Sequence, residues 1–299
     1  MRNFRMFQPD GFWLVTSAAV LWGTIGVATQ AIYETDTTTS LFINLARLVI
    51  AAPVLLLAGR RVVGPEMFRI RRRDLLIMLL SGALLAISQA AYFAAIRAAG
   101  VTIPTLLTMC VAPLVVTGVS VLLKMESLTG RVVIALICGL LGGVLLVGLP
   151  SPEAARDQVF TGTLFSLFAA ICYASVFLGG RFLAAGYHPL QVTGIEFVAG
   201  VLVLVPINLA SGIVVAHSAQ SWLLVLYLGL VPTALAYWLF QKGLRTVSAM
   251  AASILSMLDP LVAALLAWGL FGEMLSVAGI AGAGLLILSM FVLSVDQRR

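Results

Sequence analysis

The sequence predicts an all-α membrane protein of ten transmembrane helices, built as two inverted five-helix repeats. Three observations carry that prediction. The 299 residues are 61% hydrophobic and only 10% charged, with a mean hydropathy of +1.10. An average soluble domain is about 45–50% apolar and about 25% charged, so this chain lacks the charge to coat a globular surface. Unbroken apolar stretches recur along the whole length, and phrases of the first half return in the second. A soluble enzyme, a secreted disulfide scaffold and a disordered tail are excluded.

A helix that crosses the bilayer core needs roughly 20 apolar residues. Ten stretches bounded by charges or turn residues meet that need: 12–32, 40–58, 75–98, 103–123, 132–149, 161–184, 189–210, 221–241, 247–270 and 277–295. The first follows Arg2 and Arg5, as the apolar part of a secretion signal does. It is longer than the roughly 7–15 residues of such a segment, however, and further spans follow at once. It reads as a retained helix with Trp13 and Tyr33 as interfacial anchors.

Basic residues orient the bundle. With the N-terminus inside, the inner connections hold Arg60, Arg61, Arg69, Arg71, Arg72, Arg73, Lys124, Arg131, Arg181, Lys242 and Arg245, together with Arg298 and Arg299. The outer connections hold only Arg97 and Arg156, and Arg47 lies within the second span. Both termini are therefore expected in the cytoplasm and the chain in the inner (plasma) membrane. The Arg-rich 59–74 segment serves as a topology determinant or touches anionic headgroups. The net charge of +6 thus points to the lipid bilayer and not to nucleic acid, because the basic residues sit between apolar runs. Cys110, Cys138 and Cys172 each lie inside an apolar run and make no Cys-x-x-Cys pair, so they define no disulfide framework.

The repeat is legible in matched phrases. Ala112-Pro113-Leu114 and Asp259-Pro260-Leu261 each sit mid-span, and each proline is followed 13 residues later by a glutamate, Glu126 or Glu273. Tyr92-Phe93 precedes the first proline as Tyr237-Trp238 precedes the second, and Trp22-Gly23-Thr24 lines up with Tyr173-Ala174-Ser175. Residues 1–150, with spans one to five, match residues 151–299, with spans six to ten. Five is odd, so the second half enters the membrane from the opposite side. An inverted repeat places a site near the midplane and lets its halves rock alternately. That favours a secondary transporter of a small-molecule substrate over a passive channel or an intramembrane enzyme, neither of which needs two mirrored gates.

These residues resemble EamA-type members of the drug/metabolite transporter superfamily over essentially the whole chain. The resemblance rests on Trp22-Gly23 in the first span, Arg47 in the second, Tyr92 in the third, and the proline and Gly/Lys-x-Glu endings of the fourth and ninth. It is fullest from Asp259 through Glu273. Within the family the chain looks like the YddG-type amino-acid exporters, which implies export of amino acids by alternating access; drugs or other metabolites are the alternative cargo. Two positions depart from the pattern. Lys124-Met125-Glu126 stands where Gly more often precedes Glu, and Glu196 stands where the repeat would set an arginine opposite Arg47.

Pro113 and Pro260 each remove an N–H and leave the carbonyl four residues earlier, at Met109 or Ser256, without its usual donor. In hydrocarbon such groups persist only when buried in protein or lining a wet cavity. The prolines are expected as gating kinks, or as packed structural ones. Thr105 and Thr108 share one face of span four, and Ser253 and Ser256 repeat that spacing in span nine. Ser88, Gln89 and Tyr92 give span three a polar face, and Gln89 is the hardest of these to place toward lipid. The expected substrate contacts are therefore Gln89, Tyr92, Thr108 and the Met109 region of one half, with Ser253 and Ser256 of the other. Helix–helix packing is the alternative for the small polar residues. Trp22, Tyr92, Tyr173 and Tyr237 stand at matched places and either shape an organic cargo or pack the core.

Ionisable groups inside spans suggest function by default. Asp259, the deepest acid, is expected to couple protons, to anchor a cargo ammonium or to serve structure. Glu196 is a second candidate, although it and Arg47 can also snorkel or pair with a neighbour such as Arg181 or Lys242. Glu126 and Glu273 are expected to favour the N-terminus of the helix that follows each. Gly139-x-x-x-Gly143, with Gly279, Gly282 and Gly284, makes smooth faces that join the halves or form a dimer contact, the chain being a monomer or weak homodimer. No catalytic residue, metal site or cofactor is expected. His188 and His217 fall in different connections, and there is no metal-spaced cluster, nucleophile elbow or phosphate loop.

Overall fold

Ten helical spans long and apolar enough to cross a membrane run through the chain, and they lie within a few residues of the ten stretches expected except the second, which runs on to Phe68. The computed structural model describes residues 9–148, 156–215, 218–272 and 275–296. Arg2, Arg5, Glu273, His217, Arg298, Arg299 and the 150/151 repeat boundary lie outside the described residues. The first seven spans are single helices: α1 Pro9–Thr35, α2 Ser40–Val63, α3 Arg72–Ala99, α4 Thr102–Leu122, α5 Gly130–Val147, α6 Arg156–Leu183 and α7 Pro189–Ser211. The eighth is α8 Ala219–Leu228, a π turn Gly229–Leu235 and α9 Ala236–Gly243; the ninth is α10 Ala249–Leu255 and α11 Leu258–Phe271; the tenth is α12 Val277–Asp296.

Local chemistry sets several of these ends. Thr39, Thr129, Ser218 and Ser248 each accept an N–H of the first turn of α2, α5, α8 and α10, the side-chain cap that the unpaired donors of a helix start require. His188 caps α7 through Nδ1, accepting from Leu190 N, with Pro189 opening the helix. Burial, and then the nearby Arg245 and Lys242, hold the His188 pKa below its ordinary value, which keeps that nitrogen free to accept.

Two spans are interrupted, by different means. Pro232 deprives the Leu228 carbonyl of a donor, and the chain answers with a π turn in which the Thr233 hydroxyl donates to that carbonyl at 2.7 Å. Pro260 falls in the first turn of α11, where proline is tolerated. The break comes just before it, at Ser256 and Met257, and the Ser256 carbonyl accepts from Asp259 N at 3.1 Å. Pro113 corrects the expectation of a matched pair of interruptions. It is buried inside α4, which continues unbroken to Leu122. Among the described residues, the interrupted spans are the eighth and ninth, both in the second half.

The principal packing contacts repeat when each span is exchanged for the one five further on. α3 packs on α6 as the eighth span packs on α1, and α4 packs on α6 as the ninth packs on α1. α3 meets α7 as the π turn meets α2, while α2–α7, α5–α12 and α4–α10 join spans to their own counterparts. All of these contacts run between the halves, so the halves interlock in one bundle. The glycine faces lie inside this interlock: a Cβ at Gly142 would meet Gly282 O at 2.8 Å, and one at Gly282 would meet Gly142 O at 2.5 Å. Gly284 faces open space and takes no part. α5 and α12 are the least covered spans and α7 the most. Apolar side chains such as Ile137, Leu141, Ile287 and Phe291 stand exposed on the outer faces, as lipid contact requires.

The closest approach is between α3 and α7, where a Cβ on Gly82 would lie 1.9 Å from the Glu196 carbonyl oxygen. Gly82→Ala must therefore push the two helices apart. The expected loss is about 1–3 kcal/mol, read as a lowered Tm of the purified protein in detergent. An unchanged Tm would show that this contact is not tight.

Candidate functional site

An unbroken series of rings crosses the centre of the bundle. Tyr173 meets Phe177 on α6 at 5.3 Å between centroids, Phe177 meets Phe240 of α9 at 5.2 Å, and Phe240 meets Trp22 of α1 at 5.2 Å. Trp22 then packs on Tyr237 at 4.9 Å, and Tyr237 on Phe197 of α7 at 5.1 Å. Three of the four aromatic residues singled out in the sequence thus share one cluster built from both halves. The Trp22-Gly23 phrase has a geometric reason. A Cβ at Gly23 would lie 2.7 Å from the Asp259 carbonyl oxygen, so glycine lets α1 close on α11 beside that acid.

Against this cluster lies a small closed cavity walled by Asn44 and Arg47 of α2, Gln89 of α3, Thr233 of the π turn and Tyr237 of α9. Leu85 of α3 completes its apolar side. Its volume of about 10 Å³ admits roughly one water molecule. Arg47 is 7% exposed and Asn44 3%, and Arg47 Nε and Asn44 Nδ2 are buried without a hydrogen-bond partner. Tyr237 is within electrostatic reach of Arg47, Asp259 and Glu196, and Arg47 of Asp259. Three ionisable side chains are therefore gathered around one tyrosine. Glu196 is 4% exposed, with Oε1 unpartnered.

The expected contacts divide. Gln89 and Tyr237 line the cavity, and Trp22 and Tyr173 belong to the cluster beside it. Tyr92 is turned to Thr105, its hydroxyl 2.9 Å from Oγ1. Thr108 keeps a buried, unpartnered hydroxyl but is not a cavity wall. The Met109 side chain packs toward Gly143 of α5. Ser253 and Ser256 donate to the Met250 and Ser253 carbonyls, at 2.8 and 2.7 Å, because a serine near a helix end finds its acceptor one turn back. Asn44, Arg47 and Thr233 were not expected as cavity walls. The spacing Asn44-x-x-Arg47, two polar groups on one face of an apolar span, was the signal available.

Glu196 does not pair with Arg181 or Lys242, which corrects that expectation. Arg181 lies 3.6 Å from Glu126 and donates to the Leu244 carbonyl at 2.9 Å, while Lys242 sits over the Trp238 ring at 5.3 Å. Glu126 also differs from expectation, for it caps the ninth span in the other half and not the helix that follows it. Its carboxylate accepts from Ala249 N at 2.6 Å and Met250 N at 3.1 Å, where unpaired N–H groups and the helix dipole favour an anion. At the same end Tyr187 donates to Asp74 at 2.6 Å and Gln191 to the Met67 carbonyl. At the opposite end Ser218 N donates to Asp36 at 3.0 Å and Thr38 to the Val214 carbonyl at 2.7 Å. Polar contacts between the halves close both ends of the bundle.

A polytopic helical bundle whose closed internal chamber lies between two matched sets of spans is the architecture of a multi-pass membrane carrier. The sequence profile of the EamA-like transporter family matches the chain twice, over residues 10–148 and 160–295, and the chain belongs to that family. It is 30% identical over 290 residues to YicL, an uncharacterized inner membrane transporter of Salmonella typhimurium, covering 95% of each chain. It is 29% identical over 292 residues to YwfM, an uncharacterized transporter of Bacillus subtilis, covering 95% of this chain and 94% of that one. The crystal structure of a protein 20% identical to it matches with a TM-score of 0.83 over 98% of this chain and 99% of the other; the two share the fold. The protein is a membrane transporter.

The Glu126 side chain is 9% exposed and holds two helix-start donors and one cation. Glu126→Ala is expected to cost about 2 kcal/mol in thermal unfolding, and Glu126→Gln about half of that. Equal stability of all three proteins would remove the cap from the account.

Proposed function

We propose that the protein exports small organic metabolites, amino acids foremost, across the inner (plasma) membrane by alternating access. Its two moving halves are residues 1–150 and 151–299, and both termini lie in the cytoplasm. The observation that carries this reading is the small cavity between α2, α3 and the eighth span, lined by Asn44, Arg47, Gln89, Thr233 and Tyr237, with Arg47, Asp259 and Glu196 gathered around Tyr237. Positive and negative side chains at one buried site suit a zwitterion, whose carboxylate and ammonium need opposite partners. The rings from Tyr173 to Phe197 give an apolar cargo side chain its surface.

A cavity of one water is too small for any amino acid, so cargo enters only when the spans part. The interrupted spans eight and nine supply the adjustable backbone beside it, with Pro260 at the hinge and Pro113 as a rigid counterpart. Gln89 orients the cargo, and Asp259 and Glu196 answer its ammonium. Tyr92, Thr108, Met109, Ser253 and Ser256 flank the path as the halves move. The connections between the spans are too short to hold a nucleotide-binding domain, and the drive assigned to efflux is the gradient of the substrate itself, with an ion gradient as the alternative. Membership in a transporter family and the inner membrane setting in the name of YicL support the assignment.

Proteoliposomes loaded with labelled leucine or phenylalanine are expected to empty faster than protein-free vesicles without an imposed pH gradient. Equal rates for every amino acid tested overturn the reading. Gln89→Ala and Asp259→Asn are expected to slow downhill and gradient-driven efflux alike, with little change in Tm. Loss of gradient-driven efflux alone would make Asp259 a proton carrier. Cysteines placed at the exposed Thr37 and Pro65 report orientation: the first should react with an impermeant thiol reagent in intact cells, and the second only after lysis. Labelling of position 65 in intact cells reverses the topology.

A further inference from the structure

We propose that Arg47 and Asn44 form an oxyanion pocket that takes the carboxylate of the cargo. This rests on the reading of the central cavity as the cargo site and names the chemistry its cargo must carry. Asn44 and Arg47 lie three residues apart on α2, so both face the same side of the helix, and both line the cavity. Each is more than nine-tenths buried, and Arg47 Nε and Asn44 Nδ2 have no partner. Buried donors, a guanidinium above all, are ordinarily satisfied by the protein. Both residues line the same cavity and keep these donors unpartnered. A guanidinium edge beside an amide NH₂ presents the fork of N–H groups that a carboxylate accepts in bidentate fashion.

The surroundings favour a carboxylate over other ligands. Asp259 is close enough to balance the guanidinium electrostatically, yet among the described residues no acid lies within ion-pairing distance of Arg47. An incoming anion therefore meets no contact pair that it must first break. The Thr233 hydroxyl is already spent on the Leu228 carbonyl, so it adds no donor. One guanidinium and one amide match a carboxylate better than a phosphate, whose extra charge calls for further cations. The repeat gives an independent indication. At the positions 149 residues on, α7 carries Thr193 and Glu196, again buried and again with unpartnered oxygens, Thr193 Oγ1 and Glu196 Oε1. The same two positions are donors in one half and acceptors in the other.

The test uses three ligands with one side chain: leucine, 4-methylpentanoate, which lacks the amine, and leucinamide, which lacks the carboxylate. Thermal stabilisation of the purified protein in nanodiscs gives an apparent Kd for each. The two carboxylates are expected to bind at least about tenfold more tightly than leucinamide, as a charge-assisted hydrogen bond requires. Arg47→Gln should abolish that preference, with any change in the unliganded Tm confined to the lost electrostatic balance with Asp259. Arg47→Lys keeps the charge but not the fork and should weaken the carboxylates about tenfold, and Asn44→Ala should weaken them less. These two variants decide the matter if Arg47→Gln does not fold. Leucinamide binding as tightly as leucine, a preference that survives in the Arg47 variants, or no stabilisation by either carboxylate overturns the proposal. Carboxylate binding without leucine efflux from vesicles leaves the pocket standing and removes amino-acid export. Efflux of leucine and leucinamide at equal rates removes the pocket and leaves export.

Discussion

Hydrocarbon offers no partner to an unpaired polar group, and the departures of this protein from ideal helices turn inward to answer that constraint. Pro232 frees a carbonyl, and the hydroxyl of the very next residue covers it. Pro260 frees another, and the chain ends one helix and starts a second so that Asp259 N reaches it. The open N-terminus of the ninth span is covered by a carboxylate from the other half. Each repair places polar atoms in the interior and leaves the lipid-facing surface to leucine, isoleucine and phenylalanine. A polar interior is thus a consequence of breaking helices in a membrane, and a cavity follows where the repairs are incomplete. Asn44, Arg47 and Glu196 add buried side-chain groups that the protein leaves unpartnered.

The interlocked packing then limits how the molecule can move. Where backbones touch, as at Gly82 with Glu196 and at Gly142 with Gly282, no sliding is available without separation. Those contacts tie α3 to α7 and α5 to α12. The π turn and the Ser256–Met257 break fall instead in spans eight and nine, which pack on α1. π turns inside α-helices are frequent at functional sites. Because Glu126 holds the start of the ninth span, its carboxylate has to release those two N–H groups whenever that end opens.

Most of the fold was legible because its signals are long. An apolar run of some twenty residues and a repeat spread over many positions both survive local noise, and the spans agree with the stretches read from composition. The site was less legible because it depends on directions that spacing leaves open. Ser253 and Ser256 are polar and correctly spaced, but their hydroxyls turn to carbonyls one turn back. Met109 lies at the right depth and faces α5. Pro113 and Pro260 occupy matched positions in the repeat, yet one is carried within a continuous helix and the other follows a break. A proline deletes a donor wherever it stands; whether the helix parts depends on what surrounds the freed carbonyl. Arg47 was visible as a residue of the family pattern, and its open Nε became visible only with the neighbours in place.

Glu196 departs from the symmetry of the duplication, which would set an arginine opposite Arg47, and the geometry gives that departure a physical reason. Both positions are buried close to Tyr237, which feels the charge of each. Two guanidiniums there would repel across a medium that screens poorly, with only Asp259 to balance them. Reversing one sign turns a repulsive pair into a dipolar field between the halves. Such a field matches a simple cation or a simple anion at one end only. A molecule that carries both charges meets the complementary sign at each end, and it can do so from whichever side the chamber opens. The duplication thus joins two halves that match in fold and differ in the sign of the charge that each sets beside Tyr237.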